Sequence, residues 1–140
     1  MNKDSVKLKI KRQDKTNAKT YWQEFTIPHK QRLNIIACLQ EIQRNPLTAS
    51  GKTVSPVTWD CNCLEEVCGS CTMVINGKVQ QACTALVDSL QQPITLEPMS
   101  KFPVIRDLQV DRSRIFKNLK KAQAWIEIDG THDIGEGPIM

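Results

Sequence analysis

The chain has 140 residues, enough for one ordinary domain with a modest core. Hydrophobic residues make up 40% of it, with no apolar run of about 18, so no stretch reads as a membrane-spanning helix. The net charge of +4 hides an asymmetry: residues 1–50 hold ten Lys/Arg against four Asp/Glu, whereas residues 59–69 hold Asp60, Glu65 and Glu66 and no basic residue. A nucleic-acid partner is not expected, because the lysines alternate along a strand without an aromatic platform.

Val6, Leu8 and Ile10 alternate with Lys7, Lys9 and Lys11, which predicts a half-buried strand with its lysines in water. Lys15 to Lys19 is a polar connector. Tyr21, Gln23, Phe25 and Ile27 form a second alternating set that Pro28 closes, so the two strands read as a hairpin. A helix is expected from Gln31 to Arg44, with Ile35, Cys38, Leu39 and Ile42 on one face and Pro46 as its stop. On that face Cys38 behaves as a small buried hydrophobe. Residues 47–59 read as a loop, punctuated by Ser50-Gly51 and Ser55-Pro56.

The loop delivers the chain to Cys61-Asn62-Cys63-Leu64-Glu65-Glu66-Val67-Cys68-Gly69-Ser70-Cys71, and five of the six cysteines lie between Cys61 and Cys83. From Cys63 the spacing is C-x4-C-x2-C-x11-C. The x4 and x2 intervals share a central cysteine, as in the plant-type pattern in which four thiolates hold a [2Fe-2S] cluster. Bound thiols give up their protons, so backbone N–H groups must offset the charge on sulfur, and Gly69 suits a turn that aims amides inward. A structural zinc site is the alternative, although zinc thiols come as two separate C-x2-4-C pairs. Disulfides are not expected, since Met1 to Ile10 lacks an apolar signal core. Cys61 reads as a neighbour of the cluster, because a set that includes it and omits Cys63 needs an x6 first interval.

Thr72 to Ile75 is a short strand, and Asn76-Gly77 predicts a type I′ turn. Lys78 to Ala82 returns along it and carries Cys83 back to the loop, which gives the x11 interval a physical cause. Ile94 to Leu96 adds a strand between Pro93 and Pro98. The elements make an α+β domain compatible with a β-grasp. From Lys101 the character changes: Asp111 is expected to cap a helix to about Ala124, with Ile115, Phe116 and Leu119 on one face. Arg112, Arg114, Lys117, Lys120 and Lys121 supply the other, as a solvated basic face or a docking segment. Trp125 and a Gly-rich tail follow. His29 and His132 lack the two-cysteine setting of a Rieske centre.

The run Cys63-Leu-Glu-Glu-Val-Cys68-Gly-Ser-Cys71-Thr-Met-Val-Ile-Asn-Gly, then Cys83-Thr-Ala-Leu-Val, resembles the iron–sulfur subunits of succinate dehydrogenase and fumarate reductase. Pro103-Val-Ile-Arg-Asp-Leu-Gln-Val-Asp-Arg-Ser is similar to the same family, and the resemblance runs essentially from Val6 to Met140. The cysteine pattern also occurs in small iron–sulfur subunits of molybdenum hydroxylases, where the Pro103–Ser113 match is absent. A free-standing ferredoxin is the other alternative, against which the basic helix and tail after Lys101 argue. The resemblance implies a ferredoxin-like β-grasp domain over residues 1–106, with [2Fe-2S] held by Cys63, Cys68, Cys71 and Cys83. It further implies electrons arriving from the FAD of a flavoprotein subunit. A helical second domain with [4Fe-4S] and [3Fe-4S] clusters then passes them to quinone at a membrane-anchor cytochrome b subunit, on the cytoplasmic side of the bacterial membrane. No cysteine follows Cys83. Residues 107–140 are therefore expected to be the start of that second domain, whose metal ligands lie outside these residues.

Overall fold

Every second side chain of the first strand is withdrawn from water, and this register organises the molecule. The computed structural model describes residues 4–125. Strand β1 (Ser5–Arg12) buries Val6, Leu8 and Ile10 on its inner face. Each such burial stabilises by about 1.5–3 kcal/mol. Lys9 lies over the Trp22 ring and Lys11 pairs with Glu97, both on the outer face. β1 pairs antiparallel with β2 (Tyr21–Pro28), from Ser5↔Pro28 to Arg12↔Tyr21, which is the expected hairpin. Only Phe25 and Ile27 of the second alternating set are buried. Tyr21 is exposed and donates to Asp14, because the strand end there extends past the core.

Helix α1 (Ile35–Arg44) starts four residues later than the periodicity suggested. Arg32 takes a left-handed conformation (φ 58°), and the Asn34 side chain caps the helix by accepting from the Ala37 amide at 2.8 Å. Ile35, Cys38, Leu39 and Ile42 are all buried, as their spacing requires. Burial pushes the Cys38 thiol up to about 12, consistent with an inert core residue.

Strands β3 (Thr72–Ile75) and β4 (Lys78–Gln81) form the second hairpin. Asn76 and Gly77 both have positive φ, at 48° and 78°, the type I′ signature. β5 (Ile94–Glu97) lies between the hairpins, parallel to β1 and antiparallel to β3, giving the mixed order β2-β1-β5-β3-β4. One core cluster unites the sheet with α1 and reaches Cys71 and Cys83. A five-stranded mixed sheet crossed by one helix is the α+β, ferredoxin-like architecture.

A small hairpin was not foreseen: β6 (Val104–Arg106) and β7 (Gln109–Val110), turning through Asp107. Asp107 is fully buried, and so is Arg12, whose Nε donates to Asp107 Oδ1 at 2.8 Å. Arg12 occupies the inward register after Ile10, so its charge needs a partner inside the protein. Its other donors reach Gln23 Oε1, Ser55 O at 3.0 Å and Pro56 O at 3.3 Å. Asp107 also accepts from the Gln13 and Thr58 amides at 3.1 and 2.9 Å. Leu108 joins the core beside them.

Helix α2 (Ser113–Lys121) is shorter than expected, and its N-cap residue is Arg112 and not Asp111. Asp111 accepts from the Ser113 amide at 2.8 Å, one residue before the cap position, which leaves the Arg112 side chain free to reach elsewhere. Ile115, Phe116, Leu119 and Trp125 are exposed, by 40%, 67%, 46% and 52% respectively, and no residue of α2 is buried. The Gly-rich tail and His132 lie outside those residues. His29 meets Asp88 at 2.8 Å, a tie between the end of β2 and the segment after Cys83.

Candidate metal centre

Two of the four candidate thiols come from the edge of the core and two from the loop above it. Cys71 enters β3 and Cys83 leaves β4; both are buried. The Ala82 amide donates to Cys71 O at 3.2 Å and so extends the β3–β4 ladder by one step, which holds the two residues side by side. On the other flank, Asn34 Nδ2 donates to Cys83 O at 2.9 Å and the Ile35 amide to Ala85 O at 3.1 Å. The positive end of α1 is thereby fixed on the cysteine side of the sheet.

Cys63 is half-buried and Cys68 exposed, at the two ends of the six-residue stretch 63–68. Cys63 Sγ accepts from the amides of Glu65, Val67 and Cys68 at 3.5, 3.4 and 3.3 Å. Cys68 Sγ accepts from the amides of Cys63 and Ser70, both at 3.4 Å. Leu64, Glu66 and Gly69 have φ of 62°, 63° and 73°. Left-handed residues interspersed in this way gather backbone N–H groups into an anion-binding concavity. At Gly69 the restriction is conformational: an added Cβ would meet nothing nearer than Thr72 Oγ1 at 3.8 Å, but a side chain rarely adopts that φ. Leu64 and Glu66 make the same turn without glycine, at a cost of about 1–2 kcal/mol each. That feature was not visible in the sequence.

The electrostatics follow the hydrogen bonds. The Cys63 amide, aided by the Ser70 hydroxyl and amide, lowers the Cys68 thiol to about 6. Burial pushes the Cys83 thiol up, the Glu66 amide opposes it, and the neighbouring Cys71 and Cys63 thiols add to the rise. Cys63 and Cys68 are joined through each other's amides, and Cys71 and Cys83 lie at the adjoining ends of the β3–β4 hairpin. Cys61 is exposed. Its side chain lines a separate cavity of about 400 Å³ with Trp59, Gln43 and Arg106.

Among the described residues no three His, Cys, Asp or Glu side chains are grouped for a single metal ion. Four thiols in two pairs suit a two-iron cluster, in which the protein supplies two thiolates to each iron. The amides aimed at Cys63 and Cys68 are what a negatively charged thiolate cluster requires of its surroundings. The residues present therefore fit [2Fe-2S]. When bound, such a cluster supplies one-electron transfer; the chain itself binds, orients and offsets charge.

The comparisons with known proteins point the same way. The family described as a 2Fe-2S iron-sulfur cluster binding domain matches residues 7–117. The succinate dehydrogenase iron-sulfur subunit of Bacillus subtilis is 59% identical over 136 residues, which are 97% of this chain and 54% of that subunit. The fumarate reductase iron-sulfur subunit of Wolinella succinogenes is 31% identical over 122 residues, 85% of this chain and 48% of that one. Among solved structures, a chain of the Mycobacterium smegmatis Sdh1 complex superposes with a TM-score of 0.66 at 23% identity. It covers 97% of this chain and 54% of that one, a likeness of fold. The chain thus spans about half the length of the curated relatives it matches. On the matched residues, the chain belongs to the 2Fe-2S iron-sulfur cluster binding domain family, and within it is similar to the iron–sulfur subunits of succinate dehydrogenase and fumarate reductase.

Proposed function

We propose that this chain is the [2Fe-2S] part of a succinate dehydrogenase or fumarate reductase, with Cys63, Cys68, Cys71 and Cys83 as the cluster ligands. Electrons move between the FAD of a flavoprotein subunit and the quinone side of the complex, one at a time. The observation that carries this reading is the paired thiols, two of them cradled by backbone amides, in a chain 59% identical to a succinate dehydrogenase iron–sulfur subunit. Residues 1–106 form the cluster domain, with Asp107 and Leu108 still packed into it. Residues 107–140 lead into a helical domain that holds [4Fe-4S] and [3Fe-4S] clusters and meets a membrane-anchor cytochrome b subunit. The exposed apolar side chains of α2, Ile115, Phe116 and Leu119, suit packing against that domain. The complex sits peripherally on the cytoplasmic side of the membrane; among the described residues no helix is long and apolar enough to cross one.

With purified flavoprotein and succinate, the reconstituted chain is expected to become reduced, read by the spectrum of its cluster. Quinone reduction in the presence of the membrane anchor is not expected to be restored, since these 140 residues hold no thiol beyond Cys83 for further clusters. Failure of succinate and flavoprotein to reduce a fully loaded chain would refute the proposed partner. Quinone reduction equal to that of a full-length subunit would refute the electron path.

A further inference from the structure

The segment that follows the sheet is laid along the cysteine loop by a series of side-chain and backbone bonds. The Leu108 amide donates to Thr58 O at 3.1 Å, and Gln109 Nε2 to Asp60 Oδ1 at 2.9 Å. The series ends on the turn between two candidate ligands: Arg112 Nη1 donates to Gly69 O at 2.9 Å and Nη2 to Ser70 O at 2.7 Å. We propose that Arg112 is a positioning residue for the cluster, which orients the peptide groups between Cys68 and Cys71 and favours the reduced state through its fixed charge. This rests on the [2Fe-2S] reading above.

Peptide geometry links the guanidinium to the sulfur. The Gly69 carbonyl and the Ser70 N–H belong to one trans peptide, so they point to opposite sides of it. The Ser70 N–H is the group that donates to Cys68 Sγ at 3.4 Å. Arg112, with the Thr72 amide at 3.1 Å and Thr72 Oγ1 at 2.7 Å, holds the carbonyl on the outer side and so keeps the amide on the sulfur. A second peptide, Ser70–Cys71, is held in the same manner through Ser70 O. The bidentate fork is a task for arginine, which a lysine ammonium meets only in part.

The same side chain is unusual for its place in α2. N-cap positions favour Ser, Thr, Asp or Asn, whose oxygens bond the first helical amides. Arg112 makes no such bond and is committed to the loop instead. It is half-buried, and its planar guanidinium carries its donors in a fixed fork. The surrounding loop is acidic, with Asp60, Glu65 and Glu66, so Arg112 is the cation placed directly on the ligand turn. With a [2Fe-2S] cluster bound, reduction by an external one-electron donor would add one negative charge at the site and make or break no bond. The added negative charge is favoured by a nearby fixed cation and by an amide aimed at a ligand sulfur.

The test uses the 140-residue chain reconstituted with iron and sulfide, titrated with dithionite as the one-electron donor. Arg112→Met, Arg112→Lys and the control Arg114→Met are compared with the parent; Arg114 is on the same helix and instead donates to Lys101 O. Arg112→Met is expected to lower the reduction equilibrium constant about tenfold, which for one electron is about 59 mV. Arg112→Lys is expected to recover part of that loss, and Arg114→Met to stay at the parent potential. If Arg112→Met holds no cluster, the Lys variant decides: a lowered potential supports the proposal and an unchanged one overturns it. Equal potentials in all four chains, or equal shifts from Arg112→Met and Arg114→Met, overturn it too. A parent chain that binds no [2Fe-2S] would instead refute the cluster reading on which it rests.

Discussion

Cys68→Ser is expected to strip the cluster from the reconstituted protein, while Cys61→Ser leaves its absorption spectrum unchanged. Both residues are exposed thiols on one loop, seven positions apart, so size and accessibility do not separate them. The surroundings do. Cys68 Sγ receives two amides, whereas Cys61 lines a cavity with Trp59, Gln43 and Arg106. Serine is a hard oxygen donor and a poor replacement for a soft thiolate. Loss of the ligand should cost more than the roughly 10–100-fold in affinity typical of losing an outer hydrogen-bond partner. Cys71→Ser should behave like Cys68→Ser, with added destabilisation, because Cys71 is part of the buried core. Iron and sulfide content with the visible spectrum checks this. Loss of the cluster in Cys61→Ser with retention in Cys63→Ser would overturn the ligand set.

Asp107→Ala is expected to destabilise the fold by about 3–5 kcal/mol, the range for removing one partner of a buried ion pair. The carboxylate lies at zero exposure and answers three donors: Arg12 Nε and the amides of Gln13 and Thr58. Its removal leaves a buried guanidinium without its counter-charge and two amides without their acceptor. The cost should be largely recovered when Arg12 is also replaced, as in Arg12→Met with Asp107→Leu, since the uncompensated charge is then gone. Urea unfolding midpoints of the single and double variants measure it. A loss below about 1 kcal/mol in Asp107→Ala, the scale of a surface pair, would show that water reaches the site.

Much of this was legible in the chain. Alternation in β1, the Asn76-Gly77 turn and the spacing of Ile35, Cys38, Leu39 and Ile42 are local signals, and each led to the observed element. The x4, x2 and x11 intervals placed the thiols on one loop and one hairpin, where the structure has them. What was not legible depends on partners far away in sequence. Arg12 follows Ile10 at the inward register, a periodic signal for a buried charge, but its partner Asp107 lies 95 residues on. Leu64 and Glu66 take left-handed conformations because the loop must aim its amides at sulfur, a demand that overrides their own preference for negative φ. Arg112 read as one more cation on a basic helix face. Its role appears only when the fold lays residue 112 against residues 69 and 70.

Metal content and electron spin together decide whether these thiols hold two irons. The protein is reconstituted anaerobically, analysed for iron and acid-labile sulfide, then reduced and examined by EPR. About two irons and two sulfides per chain are expected, and on reduction a one-electron signal of a single [2Fe-2S] cluster. Stoichiometric zinc with no acid-labile sulfide, or iron bound without an EPR signal on reduction, would contradict the two-iron reading.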